Sequence, residues 1–233
     1  MKNQHRLACG MISSGSGHES SQQYEKAIEL LIHHGAKKGL FMFLSGAGGS
    51  GKSHVVHTAR KFCSEFCRFS GLPFEKDSFY LTACSGSAAA LLGGCTVHSA
   101  AGLNKKKLDD KIRCHWSIVK ILIIDEISYF SDSDFINLDK KLRKLKGVPD
   151  KIYGGVNILC AGDFHQIRPV TGNPVYKSWN EHWQGSVNCC IFLKNDHRFK
   201  DDPLYGQILG RMRMGEITKE DIECLNKRWV GKK

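Results

Sequence analysis

Gly39-Leu-Phe-Met-Phe-Leu-Ser-Gly46-Ala47-Gly48-Gly49-Ser50-Gly51-Lys52-Ser53 runs from an apolar segment into a glycine-rich loop, and that junction points to an α/β fold. Leu40–Leu44 is apolar without alternation, as a strand buried on both faces is. Gly46–Ser53 then fits the pattern G-x-x-x-x-G-K-[ST] and opens a helix expected over Lys52–Phe69, the strand-to-helix context that this phosphate-binding loop requires. Its glycines let the backbone curl until successive N–H groups point inward at phosphates, and the helix N-terminus adds its dipole. Gly46, Ala47, Gly48, Gly49, Ser50, Gly51, Lys52 and Ser53 are therefore candidate nucleotide-binding residues. Lys52 would neutralise charge at the β- and γ-phosphates and Ser53 would ligate Mg²⁺, which makes ATP and Mg²⁺ the expected cofactors.

Further along, Ser78–Thr82, Ile118–Ile124, Val156–Ala161 and Cys189–Leu193 read as further strands. Between them lie helical patterns: Ser87–Leu92, and a helix capped by Ser131 or Asp132 whose Phe135, Leu138, Leu142 and Leu145 form one stripe, closed by Gly147 and Pro149. The tail is expected to be helical from about Asp202. Before the loop, Tyr24, Ala27, Ile28, Leu31 and Ile32 recur at helical spacing from Ser21 to Gly35, and residues 1–20, poor in apolar side chains, read as a mobile arm. Strands alternating with helices predict an α/β fold with a mostly parallel sheet flanked by helices.

Two more strand ends carry chemistry. Ile121-Leu-Ile-Ile-Asp125-Glu126 delivers two carboxylates to the C-terminal end of a buried strand, where open α/β sheets bind ligands. Asp125 suits the Mg²⁺ shell, directly or through water, and Glu126 the polarisation of an attacking water. Gly162-Asp-Phe-His-Gln166-Ile-Arg-Pro-Val170 follows another strand, and Gln166 is placed to hydrogen-bond the γ-phosphate or that water.

Composition bounds the rest. The 233 residues are 41% hydrophobic and 24% charged, which excludes wholesale disorder, and no apolar run reaches the roughly 18 residues of a membrane helix. The N-terminus lacks a signal-peptide stretch, so a soluble intracellular protein is expected, nuclear or mitochondrial in a eukaryote and cytoplasmic otherwise. The formal charge of +11 favours a polyanionic partner, nucleic acid first. The 10 cysteines form no C-x-x-C pair and read as free thiols, Cys63 and Cys67 being a weak metal candidate with His57. Lys105–Lys107 with Lys111 and Arg113, and the Lys140–Lys146 face, are candidate backbone contacts, though such runs are commonly solvated. Trp116, Trp179 and Trp183 are expected in packing rather than in base stacking.

Taken in order, Gly46–Ser53, Thr82-Ala-Cys-Ser85-Gly86-Ser-Ala-Ala89, Gly94-Cys-Thr96-Val-His98-Ser99, Asp125-Glu-Ile-Ser128, Tyr153-Gly-Gly155, Gly162–Val170, Leu193–Asp202 and Arg211-Met-Arg-Met-Gly215 resemble the Pif family of DNA helicases, relatives of RecD in superfamily one. The resemblance covers about residues 21–230. It implies a RecA-like ATPase domain and a parent activity of 5′-to-3′ DNA unwinding in repair, recombination and telomere maintenance. It also implies that Gln22 or Gln23 reads adenine, that Thr82, Ser85 and Gly86 and then Thr96, His98 and Ser99 contact single-stranded DNA, and that Arg198 reaches the γ-phosphate as an arginine finger does. The family's Leu-Pro-Pro-Val turn is here Ile167-Arg-Pro-Val170, which adds a charge beside the site. The family's second RecA-like domain is expected to be missing, so a further chain supplying it is an expected partner and the domain alone should not unwind. Two other readings stay open: a non-catalytic, truncated or transposon-derived ATP- or DNA-binding remnant, and a small-molecule P-loop kinase, which leaves the Thr82 and Thr96 motifs unexplained.

Overall fold

Among the described residues six strands form one sheet: β1 (Phe41–Gly46), β2 (Phe79–Ala83), β3 (Cys95–Thr96), β4 (Ile121–Asp125), β5 (Asn157–Gly162) and β6 (Cys189–Leu193). Their order is β3-β2-β4-β5-β1-β6 and every pairing is parallel. The computed structural model describes residues 39–107, 109–177, 182–194, 197–227 and 231. The arm, the helix expected from Ser21, Gln22, Gln23 and Trp179 lie outside the described residues.

Side chains alternate across the sheet with the period of two that a pleated strand imposes. Phe41 and Phe43 of β1, Leu122 and Ile124 of β4, and Ile158 and Cys160 of β5 enter one core, with Trp116, Phe135, Leu138, Leu142 and Trp183. Met42 and Leu44, Ile123, and Leu159 and Ala161 enter the other, where Val55, Val56 and Ala59 meet them. Those three residues belong to α1 (Lys52–Phe69). The opposite face is covered by α3 (Val97–Ala101), α4 (Asp110–Ile118) and α5 (Asp132–Lys146), while α2 (Gly86–Leu92) joins β2 to β3. After β6 come α6 (Pro203–Met214) and α7 (Lys219–Asn226). A parallel sheet with helices on both faces is the expected three-layer α/β architecture.

The local rules behind these elements are visible. Ser131 caps α5 by accepting the Asp134 N–H at 3.1 Å, and Gly147 ends it in the left-handed region. Asp202 caps α6 with Pro203 in its first turn. Trp116 and Trp183 are both buried, and the Trp116 indole N–H donates to Ala100 O at 2.8 Å. The strand expected over Ile118–Ile124 is β4 and starts at Ile121, because Ile118 closes α4. β3, α3 and α4 were not anticipated from the sequence, and the helical tail is divided at Gly215 into two helices.

Tyr153, Gly154 and Gly155 all adopt positive φ, 52°, 62° and 78°. They fold under the C-terminal end of α5, where a Cβ on Gly154 would stand 2.7 Å from Leu142 O. The Tyr153 N–H donates to buried Asp139, whose carboxylate also pairs with Arg143 at 2.9 Å and with His182 at 3.3 Å. This motif buttresses the sheet.

Candidate nucleotide site

Because all the strands run parallel, their C-terminal ends lie along one edge, and the candidate residues collect there. The strand order divides them. β4, β5, β1 and β6, adjacent in the sheet, carry Asp125 and Glu126, the Gly162–Gln166 turn, the Gly46–Ser53 loop and the segment leading to Arg198. β2 and β3, on the flank, carry the Thr82–Gly86 and Thr96–Ser99 motifs.

The loop leaves β1 at Gly46, where a side chain would collide with Ser50 Oγ and stand 3.1 Å from Leu193 Cβ, so glycine lets the loop lie against β6. Gly49 and Gly51 have φ of 91°. Lys52, 9% exposed, turns back along the loop and donates from Nζ to Gly46 O at 2.8 Å and Ala47 O at 3.1 Å. Burial lowers its pKa, opposed by the nearby carboxylates of Glu126, Asp125 and Asp163 and reinforced by the Arg198 charge. Ser53 opens α1 on the exposed side.

Asp125 is buried at the end of β4 and accepts the Glu126 N–H at 2.9 Å. Glu126 takes a left-handed conformation with φ 54°, uncommon for a residue with a Cβ and concentrated at functional sites. Burial raises the pKa of both carboxylates; Asp125 raises that of Glu126 further, and Lys52 opposes the rise in each. Glu126 Oε2 is buried and has no hydrogen-bond partner among the described residues. A buried, unpaired oxygen of this kind is where a bound water or ligand belongs.

Gln166 and Arg198 come in from β5 and β6. A Cβ on Gly48 would sit 3.3 Å from Arg198 Nη1 and 3.5 Å from Gln166 Nε2, so the two side chains meet over the loop where glycine leaves room. The His197 N–H donates to Gly49 O at 3.0 Å and fixes that approach. Lys52, Asp125, Glu126, Gln166 and Arg198 are thus brought to one edge of the sheet.

The second group of candidates fares unevenly. Thr82 is 0% exposed and its hydroxyl donates to Ile123 O inside the sheet, so the side chain serves the sheet. Ser85 caps α2, accepting the Ala88 N–H at 3.2 Å, and Gly86 is exposed beside it. Thr96 caps α3 through the Ser99 N–H at 3.3 Å. His98 lies 3.6 Å from the Asp134 carboxylate and edge-on to Phe130. Of the Lys140–Lys146 face, Lys146 caps α4 by donating to Trp116, Ser117 and Val119 carbonyls, Arg143 pairs with Asp139, and Lys141 donates to Lys105 O. Cys63 packs against the second core and burial pushes its thiol up to about 11.

Among the ion pairs that sequence reasoning missed, two are two-pronged. Asp163, 1% exposed, receives Arg213 in a two-pronged pair at 2.8 and 2.9 Å. Arg211 pairs similarly with Asp221. Arg211 and Arg213 stood in a matched motif, but nothing in the spacing announces a contact between residues 50 apart, as Asp163 and Arg213 are, or 10 apart, as Arg211 and Asp221 are.

A phosphate loop, a strand-end Asp-Glu pair and convergent Gln and Arg side chains on a parallel sheet define a P-loop domain of RecA-like fold. The family model for PIF1-like helicases matches residues 18–203, and the chain belongs to that family. It is 28% identical over 214 residues to the ATP-dependent DNA helicase RRM3 of Saccharomyces cerevisiae, covering 85% of this chain and 28% of that protein. It is 30% identical over 215 residues to PIF1 of the same species, covering 86% and 24%. The crystal structure of Pif1 helicase from Candida albicans superposes with a TM-score of 0.71 at 24% identity, covering 95% of this chain and 49% of that one. A Bacteroides Pif1 bound to ssDNA gives 0.67 at 22% identity, covering 91% and 51%. The chain therefore spans about a quarter of those two yeast relatives and half of those solved chains.

Proposed function

We propose that this chain is the ATP-binding and hydrolysing motor half of a PIF1-like DNA helicase, stimulated by single-stranded DNA. The observation that carries this reading is the meeting of Gln166 and Arg198 over Gly48, beside Lys52 and the carboxylates of Asp125 and Glu126. Catalysis of phosphoryl transfer is mainly positioning and charge stabilisation, and these groups supply both.

The loop's backbone N–H groups would hold the phosphates, and Lys52 would exchange its two carbonyl bonds for phosphate oxygens, gaining a stronger charge-assisted contact. Glu126, with its unpaired oxygen and a pKa raised by burial, is a stronger base than an ordinary carboxylate and would orient and deprotonate the attacking water. Gln166 would hold that water or a γ-phosphate oxygen, and Arg198 would meet the charge that spreads over the transferred group. Ser53 and Asp125 fit Mg²⁺: an exposed hydroxyl at the start of α1 and a buried carboxylate whose charge a cation would stabilise. The ion would supply charge neutralisation across the phosphates.

Ser85 and Gly86 at β2 and Thr96, His98 and Ser99 at β3 would contact the DNA backbone, positioning it without reading sequence. The ssDNA-bound Bacteroides Pif1 supports this partner. Unwinding belongs to an assembly in which a second domain closes over the nucleotide and moves along the strand. The test is release of inorganic phosphate from ATP by the purified chain. Lys52→Ala is expected to lower turnover by ~10²-fold or more. Phosphate appearing on a small metabolite instead, with indifference to DNA, would contradict the proposal.

A further inference from the structure

Gln166 is exposed and sits on a turn, so something must hold it against Gly48. The turn is tied to Asp163: its carbonyl accepts the Gln166 N–H at 3.0 Å and its carboxylate accepts the His165 N–H at 3.1 Å. The same buried carboxylate is gripped by Arg213, Nη2 to Oδ1 at 2.8 Å and Nε to Oδ2 at 2.9 Å. A two-pronged guanidinium pair fixes the plane of a carboxylate as well as its position. Burial alone would push Asp163 up, but the Arg213 and His165 hydrogen bonds outweigh it and hold the carboxyl below its ordinary value.

Arg213 lies near the end of α6, the helix that follows Arg198. One segment, 197–213, therefore touches the site twice. Its start fixes the loop through the His197 N–H to Gly49 O and brings Arg198 over Gly48; its end reaches back to Asp163. From this closed circuit we infer that Arg213 is a positioning residue: through Asp163 it sets the Gln166 turn, so that Gln166 and Arg198 address the γ-phosphate together. The inference rests on the nucleotide-hydrolysis reading above.

The experiment compares binding of ADP with binding of ADP plus aluminium fluoride, which occupies the γ-position, to the wild-type chain, Arg213→Met and Arg213→Lys, with the thermal midpoint of each. The expected result is ADP affinity within about twofold of wild type in both variants. Affinity for ADP with aluminium fluoride should fall on the order of ten- to a hundredfold in Arg213→Met. Arg213→Lys, which keeps the charge but not the fork, should lose less. Unchanged affinity for ADP with aluminium fluoride in both variants overturns the inference. So does a parallel loss of both ligands that tracks a fall in the midpoint, the mark of a merely structural pair. A wild-type chain that gains no affinity when aluminium fluoride is added fails the hydrolysis reading itself, and the inference with it.

Discussion

Asp125 and Glu126 adjoin in sequence, yet the backbone turns between them into a left-handed residue so that the two carboxylates take different surroundings. Both have pKa values raised by burial, and a carboxylate raised on folding costs stability wherever it is ionised. Asp125→Asn should therefore raise the thermal midpoint of the ligand-free chain at neutral pH. The gain should shrink as the pH falls towards the ordinary carboxylate value of 3.8, where the wild-type group is itself neutral. The same variant should lose Mg²⁺-dependent nucleotide affinity, so stability and function move in opposite directions. A scan of midpoint against pH for both proteins checks this. At this scale the loop, the Asp-Glu pair, Gln166 and Arg198 were legible because each is a local motif or a family match. Asp163 with Arg213 was not, because a contact across 50 residues has no local signature.

Strands and helices show where local patterns suffice and where they fail. β1, β5 and α1 read plainly, since their apolar runs and caps are contained in the segments themselves. β3 has two residues and exists because β2 is there to pair with. α4 went unseen because its charged residues interrupt the stripe around Trp116. The burial of Thr82 was invisible for a related reason: β2 is a sheet-interior strand, and the hydroxyl is spent on Ile123 O. Thr82→Val should cost about 1 kcal/mol of stability and leave single-stranded DNA affinity unchanged; weakened DNA binding with unchanged stability would restore the phosphate role. At the α6–α7 junction, Arg211 holds the Asp221 carboxyl down to about 2. A depressed carboxylate stabilises the fold above its unfolded value and loses that contribution as the pH falls through the folded one. Urea unfolding should therefore find Asp221→Asn less stable than wild type at pH 7, with the difference shrinking between about pH 4 and pH 2.

For the molecule as a whole, the sheet order divides the candidate residues along one edge, with the proposed phosphate residues on β4, β5, β1 and β6 and the candidate DNA contacts on β2 and β3. The strands neighbour each other at β2 and β4, where the Cys84 N–H donates to Asp125 O at 2.9 Å, so the two halves share a rigid boundary. The +11 charge should make DNA affinity fall steeply with salt. Replacing Lys105, Lys106 and Lys107 together with alanine should flatten the slope of log affinity against log salt if that exposed loop meets phosphates, whereas Lys146→Ala should act on stability through α4. The most direct test of the central claim is steady-state ATP turnover by the purified chain with and without single-stranded DNA, with Glu126→Gln beside it. Turnover should rise with DNA and be lost in the variant while ATP binding persists. Tight ATP binding with no turnover in either protein would contradict it.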